Sequence, residues 1–127
     1  MQVEVLARDV DPPGAAGRTL TLVRYTIPPG ARLAPHEHHG VQLARITSGQ
    51  LTYTVVEGTA VVRRSGEEAD TPVTAPATLV LRPGDVVTEH DGMVHFGADE
   101  TDEPVVIEAT LLTVDGDGLA TPVPPTA

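Results

Sequence analysis

The chain predicts an antiparallel all-β fold, a small sandwich or barrel, on three observations. Helix signals are nearly absent, while Val and Thr abound. Twelve Gly and twelve Pro break the chain every few residues. The segments between them alternate apolar and polar side chains, with turns roughly every 8–12 residues, the spacing of short strands joined by hairpins.

The elements follow in order. The opening MQVEVLARDV (1–10) is β-rich and is expected to add a strand to a partner chain. RTLTLVRYTI (18–27) sets Leu20 and Leu22 against Thr19 and Thr21, and PPG stops it. VQLARIT (41–47) and LTYTVVEG (51–58) flank SGQ, a short glycine-containing hairpin connection. TAVVRR (59–64) is the next strand, and SGEEADTPVTAPAT (65–78), polar and broken by proline, reads as a surface excursion. LVLRPGDVVTEH (79–90), MVHFGA (93–98) and EPVVIEATLLTV (103–114) complete the set, and residues 115–127 are expected to form a flexible tail.

At 127 residues the natural reading is one domain, 1–127, with a modest core. Tyr25, Tyr53 and Phe96 are the only aromatics, so aliphatic side chains must build that core. Lys is absent, and eight Arg against 18 acidic residues give a formal charge of −10. That balance opposes binding to nucleic acid, whose affinity rests on neutralised phosphates. It equally opposes an anionic membrane surface. No cysteine is present, which removes disulfides, thiolate zinc sites and cysteine nucleophiles. The first ten residues lack a basic leader and a long apolar run, so the expected location is cytoplasmic.

Three of the five histidines fall within APHEHHG (34–40). On a strand, residues two apart share a face and lie roughly 6.6 Å apart along the chain. His36 and His38 therefore point together, able to share one metal ion, while Glu37 and His39 face away. Gln42 has the parity of the pair but sits about 20 Å further along a straight strand. It joins them only if the chain bends, and Gly40 is the residue that permits a bend.

A second stretch, RPGDVVTEHDGMVHFGAD (82–99), carries His95 in a strand pattern after a tight PGD turn. Together the two stretches resemble the paired motifs of the cupin superfamily. Gly30, His36, His38 and Gly49 fall on the first motif, G(X)5HXH(X)3-4E(X)6G, with Gln42 at the position of its usual Glu. Gly84, Gly92 and His95 fall on the second, G(X)5PXG(X)2H(X)3N, where His90 replaces Pro and Asp99 replaces Asn. Seven of the ten motif positions match, and the resemblance spans about residues 18–114.

The resemblance implies a cupin-like double-stranded β-barrel, or jelly roll. It implies one divalent metal ion (Zn, Fe, Ni, Cu or Mn) held inside by His36, His38 and His95, with Gln42 as an expected fourth ligand. His39 and His90 are left outside the ligand set. Three His and a neutral Gln leave the charge of a divalent ion uncompensated, which suits an anionic or enolisable small molecule. Tyr53 is the candidate proton donor or orienting group. Two function classes remain. One is a metal-dependent enzyme on a small oxygen-rich molecule, of dioxygenase type or using the metal as a Lewis acid in a cyclase or isomerase. The other is a barrel that binds or senses metal and ligand without turnover. The open position beside three histidines favours the enzyme, and family analogy favours oxygen chemistry. A homodimer is expected, since small barrels of this kind expose sheet edges.

Overall fold

The computed structural model describes residues 1–123 as twelve strands, all of them antiparallel. They are β1 (Gln2–Val10), β2 (Arg18–Ile27), β3 (His36–Glu37), β4 (Gly40–Ser48), β5 (Leu51–Glu57) and β6 (Thr59–Arg63), followed by β7 (Thr71–Thr74), β8 (Ala77–Leu81), β9 (Val86–Glu89), β10 (Val94–Ala98), β11 (Val105–Val114) and β12 (Thr121–Pro122). One sheet of seven strands runs β1-β2-β11-β4-β9-β6-β7, and a second of five runs β12-β3-β10-β5-β8. Together they make the antiparallel all-β fold expected from the pattern, and the jelly roll that the resemblance implies.

Period-two alternation decides which side chains fill the space between the sheets. On β11, Val105, Ile107, Ala109 and Leu111 are buried while their neighbours are only partly so. On β5 the buried set is Leu51, Tyr53 and Val55. Val23, Ile27, Ile46 and Leu81 join them in a core of branched aliphatics, as the scarcity of aromatics requires. At that core's edge β3, β4, β9 and β10 carry the polar side chains His36, Gln42, Glu89 and His95, and these form the site.

The chain changes sheets between β3 and β4, and Gly40 is where it turns. Its φ is +142°, and a β-carbon there would lie 1.8 Å from the carbonyl oxygen of Leu112, so no other residue fits without moving β11. The bend expected at Gly40 is present, and it brings Gln42 to the histidines.

The excursion expected over 65–78 is partly structured. Thr71–Thr74 pairs with β6, Thr59 lying opposite Thr74, and Ala77 and Thr78 already belong to β8. Pro72 is compatible with a strand here because it lies on an outermost one, where a missing N–H costs the ladder little. Residues 1–10 pair with β2 of their own chain, Gln2 opposite Thr26 through Val10 opposite Thr19. Within the expected tail, Thr121 and Pro122 pair with Glu37 and His36; residues 124–127 lie outside the described set.

Candidate metal centre

Register builds the site. His36 on β3 lies directly opposite His95 on β10, which brings the two rings to 4.3 Å between centroids. His38, in the corner between the sheets, lies 5.3 Å from His36 and 5.1 Å from His95. One ring nitrogen from each of the three lies within 4.8 Å of the other two. His38 and His95 are buried and His36 is half-buried. Across the gap, in the seven-stranded sheet, Gln42 on β4 lies opposite Glu89 on β9.

Backbone carbonyls orient two of the rings. His36 Nδ1 donates to Ala34 O at 2.9 Å and His38 Nδ1 donates to Leu119 O at 2.7 Å. A neutral imidazole protonated at Nδ1 presents the Nε2 lone pair, so both rings are set in the tautomer that ligates metal through Nε2. Leu119 thereby gives the C-terminal segment a part in the site. His38 Nε2 is buried without a hydrogen-bond partner, as is His95 Nδ1. A converging set of imidazole nitrogens, one of them orphaned and aimed inward, fits a metal ion.

Glu89 is the residue that the sequence reading missed. Its carboxylate is fully buried and held on both oxygens. Gln42 Nε2 donates to Oε1 at 2.6 Å, and the Tyr53 hydroxyl donates to Oε2 at 2.6 Å. His38 Nε2 lies 3.2 Å from Oε1 and His95 Nε2 3.0 Å from Oε2. The expectation of a site without a carboxylate is therefore corrected. The negative charge has moved to the neighbouring strand. A signal was available: Val87 and Glu89 share a face of β9, and Val87 is core.

Gln42 lines the same cavity, but its amide is already engaged. Its Oε1 accepts from the Tyr25 hydroxyl at 3.0 Å while its Nε2 serves Glu89. Tyr53 stacks on His95 with 5.7 Å between centroids. As parity requires, Phe96 turns outward, where the Arg32 guanidinium sits 4.5 Å from its ring centre. His39 is half-buried between Asp117 and Glu37, and His90 is exposed, both outside the cluster.

These contacts fix protonation. Burial alone would push the Glu89 carboxyl up, but the contacts and charges of His38 and His95 reverse this and hold it well below the usual range. Burial also opposes a charge on His38, and Glu89 outweighs it, raising that histidine. Burial and then the neighbouring His95 lower His36. Burial, reinforced by Glu89, raises both Tyr53 and Tyr25 far above the ordinary phenol, so both remain protonated donors.

The cluster closes one end of a cavity of about 230 Å³. The remaining wall is aliphatic, with Ile27, Leu33, Val87 and Ile107 among its members. No helix of the described residues is long and apolar enough to cross a membrane.

No protein-family model matches the chain, and no curated protein matches it by sequence. Solved structures do match. A cupin superfamily protein from Desulfitobacterium hafniense DCB-2 aligns with TM-score 0.61 at 15% identity over 88% of this chain and 76% of its own. A cupin 2 domain-containing protein from Halorhodospira halophila aligns with TM-score 0.59 at 13% identity, covering 91% of this chain and 65% of its own. An oxalate oxidase in complex with the substrate analogue glycolate aligns with TM-score 0.55 at 17% identity, covering 84% of this chain and 46% of its own. This chain thus spans less than two thirds of the last two. Its solved neighbours are cupin superfamily proteins, and the fold of this chain is the cupin fold.

Proposed function

We propose that the chain is a metal-dependent cupin enzyme: His36, His38 and His95 hold one divalent ion, and a small organic molecule binds beside it in the apolar cavity. The observation that carries this reading is the inward convergence of three histidine nitrogens at the end of a 230 Å³ cavity. Imidazole suits Zn, Fe, Ni and Cu, and Mn belongs to the same set of candidates. A bound ion supplies Lewis acidity to an oxygen atom of the ligand, and a redox-active ion also supplies an electron for chemistry with dioxygen.

The chain's own residues do the rest. The aliphatic wall takes the apolar body of the ligand and excludes water, which strengthens every charge inside. With Glu89 ionised, a divalent ion keeps about one positive charge, suited to a monoanionic enolate, phenolate or carboxylate. Tyr53, expected as a proton donor or orienter, serves in this reading as the orienter, its hydrogen bond to Glu89 holding that carboxylate in place. The glycolate-bound oxalate oxidase supports a small oxygen-bearing ligand class. Dioxygenase-type oxidation is favoured over Lewis-acid cyclase or isomerase chemistry. We also propose a homodimer, supported by the outer strand β1, whose Val3, Val5, Leu6 and Val10 are exposed.

Metal analysis of the purified protein, followed by oxygen-uptake assays with catechols, flavonols and 1,3-diketones, tests the activity. Redox-active metal with uptake is the expected result. Bound zinc with no uptake overturns the dioxygenase reading in favour of Lewis-acid chemistry or of binding without turnover.

A further inference from the structure

We infer that Glu89 is the carboxylate ligand of this metal site, supplied by β9 in place of the Glu that the first motif lacks at position 42. The inference rests on the three-histidine reading and adds a residue at a position that neither motif specifies.

Three observations carry it. First, Gln42 and Glu89 are directly opposed across the β4–β9 ladder. Opposed residues of an antiparallel pair project side by side, with β-carbons roughly 4.5–5.5 Å apart. Moving the carboxylate from one to the other thus keeps it at the same corner of the barrel. Second, the carboxylate faces the ligand nitrogens, with one oxygen 3.2 Å from His38 Nε2 and the other 3.0 Å from His95 Nε2. Nitrogen and oxygen donors bound at about 2.0–2.2 Å to one ion, at right angles to each other, lie about 3 Å apart. Third, the carboxylate is braced like a ligand. Gln42 donates to one oxygen and Tyr53 to the other, and Tyr25 donates in turn to Gln42. Hydrogen bonds of this kind orient ligating carboxylates.

The contact with His38 needs a cation. With its Nδ1 proton committed to Leu119 O, a neutral His38 turns an Nε2 lone pair toward the Glu89 anion. Two acceptors 3.2 Å apart in a buried place repel unless a proton or a metal ion lies between them. In this arrangement Gln42 is a positioning residue. Its amide nitrogen holds Glu89, and its oxygen is taken by Tyr25.

The test is a set of zinc titrations, with affinity and stoichiometry as readouts. Glu89→Gln should bind one zinc at least about ten-fold more weakly than the unmodified chain. The swap Gln42→Glu with Glu89→Gln returns the carboxylate to the usual motif position and should recover most of that loss, which a merely structural role for Glu89 does not predict. Equal affinity for Glu89→Gln and the unmodified chain, one zinc bound to each, overturns this inference and leaves the histidine reading standing. No stoichiometric zinc on the unmodified chain overturns both. Should Glu89→Gln fail to fold, the infrared difference spectrum of the unmodified chain on adding zinc decides. A shifted carboxylate stretch is expected, and an unchanged carboxylate region with one zinc bound overturns the inference.

Discussion

Tyr53 shows how much of the site rests on single atoms. Its hydroxyl gives the buried Glu89 carboxylate one of its two shortest contacts. Removing only that oxygen leaves a buried carboxylate one donor short, a change that costs about 1–3 kcal/mol. Tyr53→Phe should therefore lower the unfolding free energy of the metal-free protein by that amount, measured by urea denaturation. An unchanged midpoint would mean that the hydrogen bond contributes nothing net. The residue scale is also where the sequence was least legible. His36, His38 and His95 announce themselves by type and spacing. Glu89 does not, because one acidic residue near a strand end resembles an ordinary exposed position, and only the ladder places it opposite Gln42.

At the scale of elements, the turn between β8 and β9 shows how a local structure holds a strand that carries the site. Asp85 Oδ2 accepts from the Arg82 backbone N–H at 2.8 Å and from Arg64 Nη1 at 2.9 Å, while Oδ1 accepts from the Ser65 N–H at 2.8 Å. Burial pushes the Asp85 carboxyl up, but the backbone donors of Arg82 and Ser65, with Arg64, more than offset it and hold the carboxyl below its usual value. Because the folded-state value is the lower one, the stabilisation is present above the ordinary aspartate range, near pH 4, and is lost as pH falls through the folded value. Asp85→Asn should cost about 1–3 kcal/mol at neutral pH and flatten the acid side of the stability profile, measured by denaturation from pH 7 to pH 2. A parallel profile with the same acid limb would refute this role. Elements were the most legible level of the sequence. RTLTLVRYTI is β2 residue for residue, since period-two alternation bounded by turn residues has one reading. The strand at 71–74 escaped because it lies on an outer edge, with neither face fully buried and so no alternation to see.

For the whole molecule, two faces of the β1–β2 end remain apolar and uncovered. Val3, Val5, Leu6 and Val10 on β1 are exposed, and so are Leu20 and Leu22 on the strand beside it. An outer strand with one free edge and such side chains is a template for a second copy of the chain. Light scattering should give twice the 13.3 kDa chain mass. A mass of one chain at every working concentration would exclude the dimer. What was hidden at this scale is the company the histidines keep. Linear spacing pairs His36 with His38, but only the meeting of two sheets and the C-terminal segment sets Leu119 O against one ring and Glu89 against two.

The central claim is that His36, His38 and His95 hold one metal ion, and the metal content of the purified chain tests it most directly. Elemental analysis of the unmodified protein and of His95→Ala, both equilibrated with zinc and then dialysed, should give one ion per chain for the first and none for the second. Because bound metal stabilises only the folded state, the unmodified protein alone should also melt at a lower temperature after chelation. One ion per chain in His95→Ala would contradict the account.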